Sequence, residues 1–171
     1  MTSAILCLDA AYGPARAAAA AAVIHSWDAE NVGQILVRRF DSQPEEYEPG
    51  AFYKRELPLL LPIISDFDDP IRAIVIDGYV WLGTDGPPGL GGHLFASLAS
   101  RIPVIGVAKT RYGNDTWSIP IHRPGSKRPL FVTSAGMEKE EAAECINRMH
   151  GDHRVPTILA LVDRAARTGL M

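Results

Sequence analysis

Ala4-Ile5-Leu6-Cys7-Leu8-Asp9 is an unbroken apolar run that stops at a carboxylate, and a second run, Ile71 to Ile76, stops the same way at Asp77. Apolar runs this short read as strands buried on both faces. A carboxylate just beyond such a strand stands at the sheet rim, where open α/β sheets place their ligands. Working outward, Tyr12-Gly13-Pro14 supplies a turn after the first run. The alanine-rich segment Ala17 to His25 favours helix by propensity. It lies between that turn and the polar stretch Asp28 to Asn31, and it reads as a strand of small residues packed against something bulky. Gln34 to Phe40, rich in Ile, Leu, Val and Phe, completes an antiparallel meander.

Ala51 to Ile64 carries apolar residues at helical spacing, with Pro58 and Pro62 expected to break or kink the helix. Beyond Asp77, Thr84 to Gly92 reads as a Gly/Pro-rich loop, Leu94 to Arg101 as a helix, and Pro103 to Val107 as a buried strand ending near Lys109. Trp117 to Ile121 and Pro129 to Thr133 are expected to pair as a hairpin around Pro124-Gly125. Glu138 to His150 is amphipathic, with Ala142, Cys145, Ile146 and Met149 on one face, and Thr157 to Arg167 forms a terminal helix with Thr157 as a candidate N-cap. The order implies an α/β, ribonuclease H-like mixed sheet flanked by helices, formed as a single domain over residues 1–171.

Composition sets bounds on function. The formal charge is −3, from 17 Lys and Arg against 20 Asp and Glu, which argues against a protein that coats duplex DNA through a basic surface. It leaves room for an enzyme that grips a few nucleotides at one place. Cys7 and Cys145 match no zinc or redox spacing and read as core thiols. No basic segment precedes a long apolar run and Ala15 to Ile24 is too short to span a bilayer, so a cytoplasmic protein without a membrane anchor is expected.

Asp9 and Asp77 carry the chemistry. If their strands are neighbours, the carboxylates converge and repel, and Mg²⁺ or Mn²⁺ would relieve that repulsion. Each alone is as readily an N-cap or turn residue. Glu56 is as readily a solvated partner of Lys54 or Arg55, and Lys109 is either a strand-end cation able to meet a phosphate or an exposed surface lysine.

Taken in order, Leu8-Asp9-Ala10-Ala11-Tyr12, Tyr47-Glu48-Pro49-Gly50 with Arg55-Glu56, Ile76-Asp77-Gly78, Gly89-Leu90-Gly91-Gly92-His93-Leu94, Ile105-Gly106-Val107-Ala108-Lys109 and Thr133-Ser134-Ala135-Gly136 resemble the endonuclease V family over nearly the whole chain. The resemblance implies a metal-dependent nuclease that cleaves DNA or RNA one nucleotide beyond the 3′ side of a deaminated base, chiefly hypoxanthine. It implies Asp9, Glu56 and Asp77 as ligands of Mg²⁺ (or Mn²⁺), Lys109 as the phosphate-neutralising cation, and Tyr47 as part of a wedge filling the gap left by the displaced base. Pro49, Gly50, Gly78, Gly89 and His93 join Tyr47 as the implied substrate contacts. Taking one base out of the stack is least costly when it is mispaired, and the glycines from Gly83 to Gly92 suit close backbone approach to such a base.

The chain departs from the family pattern in places. Tyr79 and Val80 stand where a histidine and a glycine are usual, and a histidine of the following loop is replaced near Gly83. Ala135 and Met137 interrupt a Ser-Pro-Gly-His motif whose histidine is expected near the metal, and Glu45, Glu46 and Glu48 surround the wedge. The alternative expectation is therefore a catalytically impaired relative that binds nucleic acid or another ligand without cutting it.

Overall fold

The computed structural model describes residues 2–41, 51 and 53–171. Its first three elements are strands β1 (Ala4–Tyr12), β2 (Ala17–Ile24) and β3 (Gln34–Phe40), paired antiparallel in the expected meander. Helix α1 (Tyr53–Ser65) leads into β4 (Ile71–Asp77), helix α2 (Leu90–Ser97) and β5 (Val104–Ala108), with β4 parallel to both β1 and β5. The hairpin β6 (Ile119–Ile121) and β7 (Leu130–Ala135) joins antiparallel to β5, giving one seven-stranded mixed sheet of order β3-β2-β1-β4-β5-β7-β6. Helices α3 (Lys139–Asn147) and α4 (Thr157–Thr168) close the described chain.

Alternation along the strands divides the core in two. Ile5 and Cys7 of β1 and Val75 of β4 face α3 and α4, packing with Ile146, Ile158 and Val162. Leu6, Leu8, Ile74 and Ile76 face the opposite side, against Leu60 and Ile63 of α1 and Leu94 of α2. Each fully buried Ile or Leu here contributes about 2 kcal/mol by leaving water. The alanines of β2 serve both layers, since Ala20 and Ala22 lie in the α4 layer while Ala17, Ala19 and Ala21 lie in the α1 layer. Flanked by helices on both faces, this strand has room only for methyl groups, and that packing overrides alanine's helical preference. Cys7 and Cys145 are buried free thiols, as expected.

Four local expectations are corrected. Strand β1 does not stop at Asp9 but continues to Tyr12 in its ladder with β2, while its parallel ladder with β4 ends at Leu8. Pro58 and Pro62 do not interrupt α1, which runs through both. They stand four residues apart on the outer side of the helix, with Pro58 exposed, so water can take the carbonyls they leave without N–H donors. Helix α2 begins at Leu90, four residues before the expected start, because Gly91 and Gly92 pack on Val80 as its first turn. A Cβ at Gly91 would lie 2.6 Å from Val80 Cγ2, so glycine lets the helix approach the end of β4. Thr157 is the first residue of α4 rather than its cap. Pro156 takes the cap position, and the Thr157 hydroxyl meets His150 Nδ1 at 3.0 Å.

The chain between α3 and α4 is held by one buried side chain. Arg123, 3% exposed, donates to the carbonyls of Ile146, Asn147, Met149, Gly151 and His153 at 3.0–3.2 Å. Some of these are the carbonyls that the end of α3 leaves without intrahelical partners. Just beyond, Arg154 donates to the carbonyls of Lys109 and Pro129, tying the connection before α4 to the end of β5.

Candidate active site

Strand register brings the predicted acids together. Leu8 pairs with Ile76 in the parallel β1–β4 ladder, so Asp9 and Asp77 stand one step further along, side by side. Both follow the parity of Cys7 and Val75 and therefore project on the α4 face. Val107 of β5 pairs with Asp77, and Lys109, two residues on, returns to the same face. Lys109 Nζ lies 3.6 Å from Asp77 Oδ2. A cavity of about 20 Å³, room for about one water-sized occupant, opens between Asp9, Asp77, Lys109, Leu159 and Val162.

Two further acids reach the same place from opposite layers. Glu56, in the first turn of α1, is 6% exposed and close enough to feel the charges of Asp9 and Asp77. Asp163 of α4 acts on both Asp9 and Asp77 while pairing with Arg167 one turn on. Asp163 is not among the acids that the sequence pattern marks. Its signal was an acid beside the apolar stripe Leu159, Val162 and Ala166, but nothing local says that this stripe crosses the sheet at the rim bearing Asp9.

The electrostatics are those of crowded, poorly hydrated anions. Burial pushes the Asp9 carboxyl up to about 7, and the charges of Asp77 and Asp163 add to it against the Ala10 N–H, which donates to Asp9 Oδ1 at 2.8 Å. Glu56 is pushed up to about 8, first by burial and then by Asp9, with Tyr12 opposing. Burial also raises Asp77, with Lys109 restraining the shift. The Tyr12 hydroxyl is buried without a hydrogen bond of normal geometry, and the Arg55 guanidinium lies 3.9 Å over its ring. As the side chains stand, no group of three His, Cys, Asp or Glu among the described residues is gathered tightly enough to hold a metal. The donor chemistry nonetheless fits one. Asp9, Glu56, Asp77 and Asp163 offer only carboxylate oxygens, the donors of hard divalent cations, and their mutual repulsion is what a cation would remove.

The other predicted contacts are scattered in kind. Tyr47, Pro49 and Gly50 lie outside the described residues, as do Glu45, Glu46 and Glu48. Gly78, with φ of +131°, follows Asp77 and has open space where a side chain would project. Gly89 is buried at the cap of α2, where a Cβ would lie 2.6 Å from the Tyr79 carbonyl oxygen. His93 stacks on Tyr53 with ring centroids 3.5 Å apart, and burial lowers its pKa. Met137, where the sequence reading expected a metal-side histidine, lies instead in a separate cavity with Trp81, Thr84, Trp117, Thr133 and Lys139. That cavity shares no lining residue with the cleft of Asp9 and Asp77, because β7 runs antiparallel to β5 and its last residue, Ala135, pairs with Val104 at the end of β5 away from Lys109.

Among the described residues no helix is long and apolar enough to cross a membrane. The model of the endonuclease V family matches residues 2–138, from before β1 to the start of α3. The fold is similar to that of endonuclease V from Streptomyces avermitilis, at 23% identity and TM-score 0.77 over 99% of this chain and 82% of that one. It is similar to human ENDOV at 20% identity and TM-score 0.78, over 98% and 84% of the two chains. A third likeness is to Ciona intestinalis endonuclease V bound to a 24mer DNA containing an inosine followed by a ribo-adenosine. There the identity is 16% and the TM-score 0.75, over 98% of this chain and 86% of that one. No curated protein sequence matches significantly.

Proposed function

We propose, from the premise that the chain belongs to the endonuclease V family, that it is a Mg²⁺- or Mn²⁺-dependent endonuclease that hydrolyses a phosphodiester bond on the 3′ side of a deaminated base, chiefly hypoxanthine, in DNA or RNA. The observation that carries this reading is the side-by-side placement of Asp9 and Asp77 at one sheet rim, with Lys109 3.6 Å from Asp77. The Ciona relative's inosine-containing DNA supports the choice of substrate.

In this reading Asp9, Glu56 and Asp77 hold the cation, with Asp163 adding negative charge from α4. The bound cation would activate water and offset charge on the phosphate. Lys109 neutralises a non-bridging phosphate oxygen as charge builds on it, which is worth most in a site with little water. Arg154, bonded to the Lys109 carbonyl, keeps the end of β5 in place while the lysine side chain moves between Asp77 and phosphate. Tyr47, Pro49, Gly50, Gly78, Gly89 and His93 are the proposed contacts with the displaced base and its strand.

Incubation of inosine-containing DNA and RNA strands with the protein and Mg²⁺ or Mn²⁺ tests the proposal. Wild type should nick them and Asp77→Ala should not. No cleavage by wild type, or equal cleavage by the variant, overturns it. A second reading, binding without cleavage, draws on Tyr79, whose hydroxyl is committed to Asp115 at 2.7 Å where the family usually carries a titratable histidine. Hydrolysis abolished by EDTA would dismiss it.

A further inference from the structure

Beside the acids, a groove of about 410 Å³ runs from Asp77 and Gly78 along the segment that follows β5, past Lys109 and Arg111 to Tyr112. The segment from Lys109 to Ser118 has no regular secondary structure, yet it is pinned from within. Tyr79 donates its hydroxyl proton to Asp115 Oδ2 at 2.7 Å and accepts the Tyr112 backbone N–H at 3.1 Å. Asp115 Oδ1 accepts the N–H groups of Trp117 and Ser118 at 2.9 and 2.8 Å, and Trp117 Nε1 donates to the Trp81 carbonyl. Asp115 is thus buried and saturated, so its charge is not presented to the groove.

What this lock displays is an aromatic ring at the end of a groove that also carries two cations. Tyr112 is 44% exposed although its backbone is fixed. Arg111 lies over the Phe131 ring at 5.3 Å, with its guanidinium at the surface. Lys109 stands at the other end of the same groove. A fixed, exposed ring near positive charge is the arrangement that stacks an unpaired base while holding its phosphates. A paired base has both faces covered and gains nothing from it.

Resting on the nuclease reading above, we propose that Tyr112 and Arg111 form a shelf that binds an unpaired nucleotide of the substrate strand next to the cleaved bond. The Tyr112 ring stacks on the base, and Arg111 meets a backbone phosphate on the path toward Lys109. The Tyr79–Asp115 lock fixes the shelf before the strand arrives, so little ordering remains to be done on binding.

Two measurements test this. One is anisotropy of a dye-labelled, inosine-containing single strand titrated in EDTA, and the other is kcat and KM for its cleavage in Mg²⁺. Tyr112→Ala should raise both Kd and KM about tenfold, with kcat within about twofold, while Tyr112→Phe behaves as wild type. Arg111→Gln should flatten the dependence of log Kd on log salt by about 0.7, the share of one phosphate on a single strand. An unchanged melting temperature for Tyr112→Ala shows that the fold is intact. Wild-type Kd and KM in Tyr112→Ala overturn the shelf, as does equal weakening by Tyr112→Phe, since the Phe ring still stacks. Absence of cleavage by wild type overturns the nuclease reading alone, because the EDTA titration still decides the shelf.

Discussion

Arg123 and Glu56 are buried to similar depth, 3% and 6% exposed, yet their surroundings treat charge in opposite ways. Around Arg123 five backbone carbonyls accept from the guanidinium, so the cation is matched by dipoles and the chain before α4 is locked. Around Glu56 burial first, and then the charges of Asp9 and Asp77, drive the carboxyl up to about 8 against Tyr12 and Arg55. A satisfied buried charge serves stability, whereas an unsatisfied group of like charges creates demand for a cation from outside. The difference separates a buried charge that its surroundings match from one that they leave opposed by like charges.

The sharpest way to break the comparison is to remove an acid. Asp77→Ala should lower cleavage of an inosine-containing strand at least about a thousandfold while the protein stays folded, read by strand cleavage and circular dichroism. Arg123→Met should do the reverse. It leaves the carbonyls at the end of α3 without their partner and should cost about 3 kcal/mol in urea unfolding, with cleavage by the folded fraction retained.

A smaller effect comes from pH. Asp9 and Glu56 are raised in the folded state, to about 7 and about 8, so folding favours their protonated forms. Their contribution is fully present below the ordinary carboxylate range and is lost as pH rises through the folded values. In EDTA the melting temperature should therefore fall between about pH 5 and pH 8, and Mg²⁺ or Mn²⁺ should restore it most at the upper end. A melting temperature that is flat with pH, or metal stabilisation that is equal at both ends, would separate the acids from cation binding. The least change is expected from Asp163→Asn, about a tenfold loss of cleavage. It should also move the pH-dependent fall to lower pH, because one of the charges raising Asp9 is gone.

Much of this was legible in the chain itself. The runs Ile5 to Leu8 and Ile74 to Ile76 are strands by their short apolar length, and Asp9 and Asp77 follow the last pair of the parallel ladder, Leu8 with Ile76, although β1 itself continues to Tyr12. The helix start at Leu90 was not legible. Gly91 and Gly92 look like loop residues until the end of β4 is seen packed against them. Nor was the continuity of α1 through Pro58 and Pro62, since it depends on which side of the helix meets water.

By itself, then, the sequence determined the strands and the meander and put Asp9 and Asp77 forward, because apolar run length is a local property, while their adjacency waited on the β1–β4 pairing. Glu56 could be named as a ligand in advance only through resemblance to a family, whereas Lys109 stood out by its place just beyond the end of β5. Tertiary structure alone decided that Asp163 of α4 faces the same acids, that Met137 turns away from them, and that Tyr79 and Asp115 hold Tyr112 at the surface. Each depends on where one element crosses another, and a crossing is fixed by packing between segments far apart in the chain.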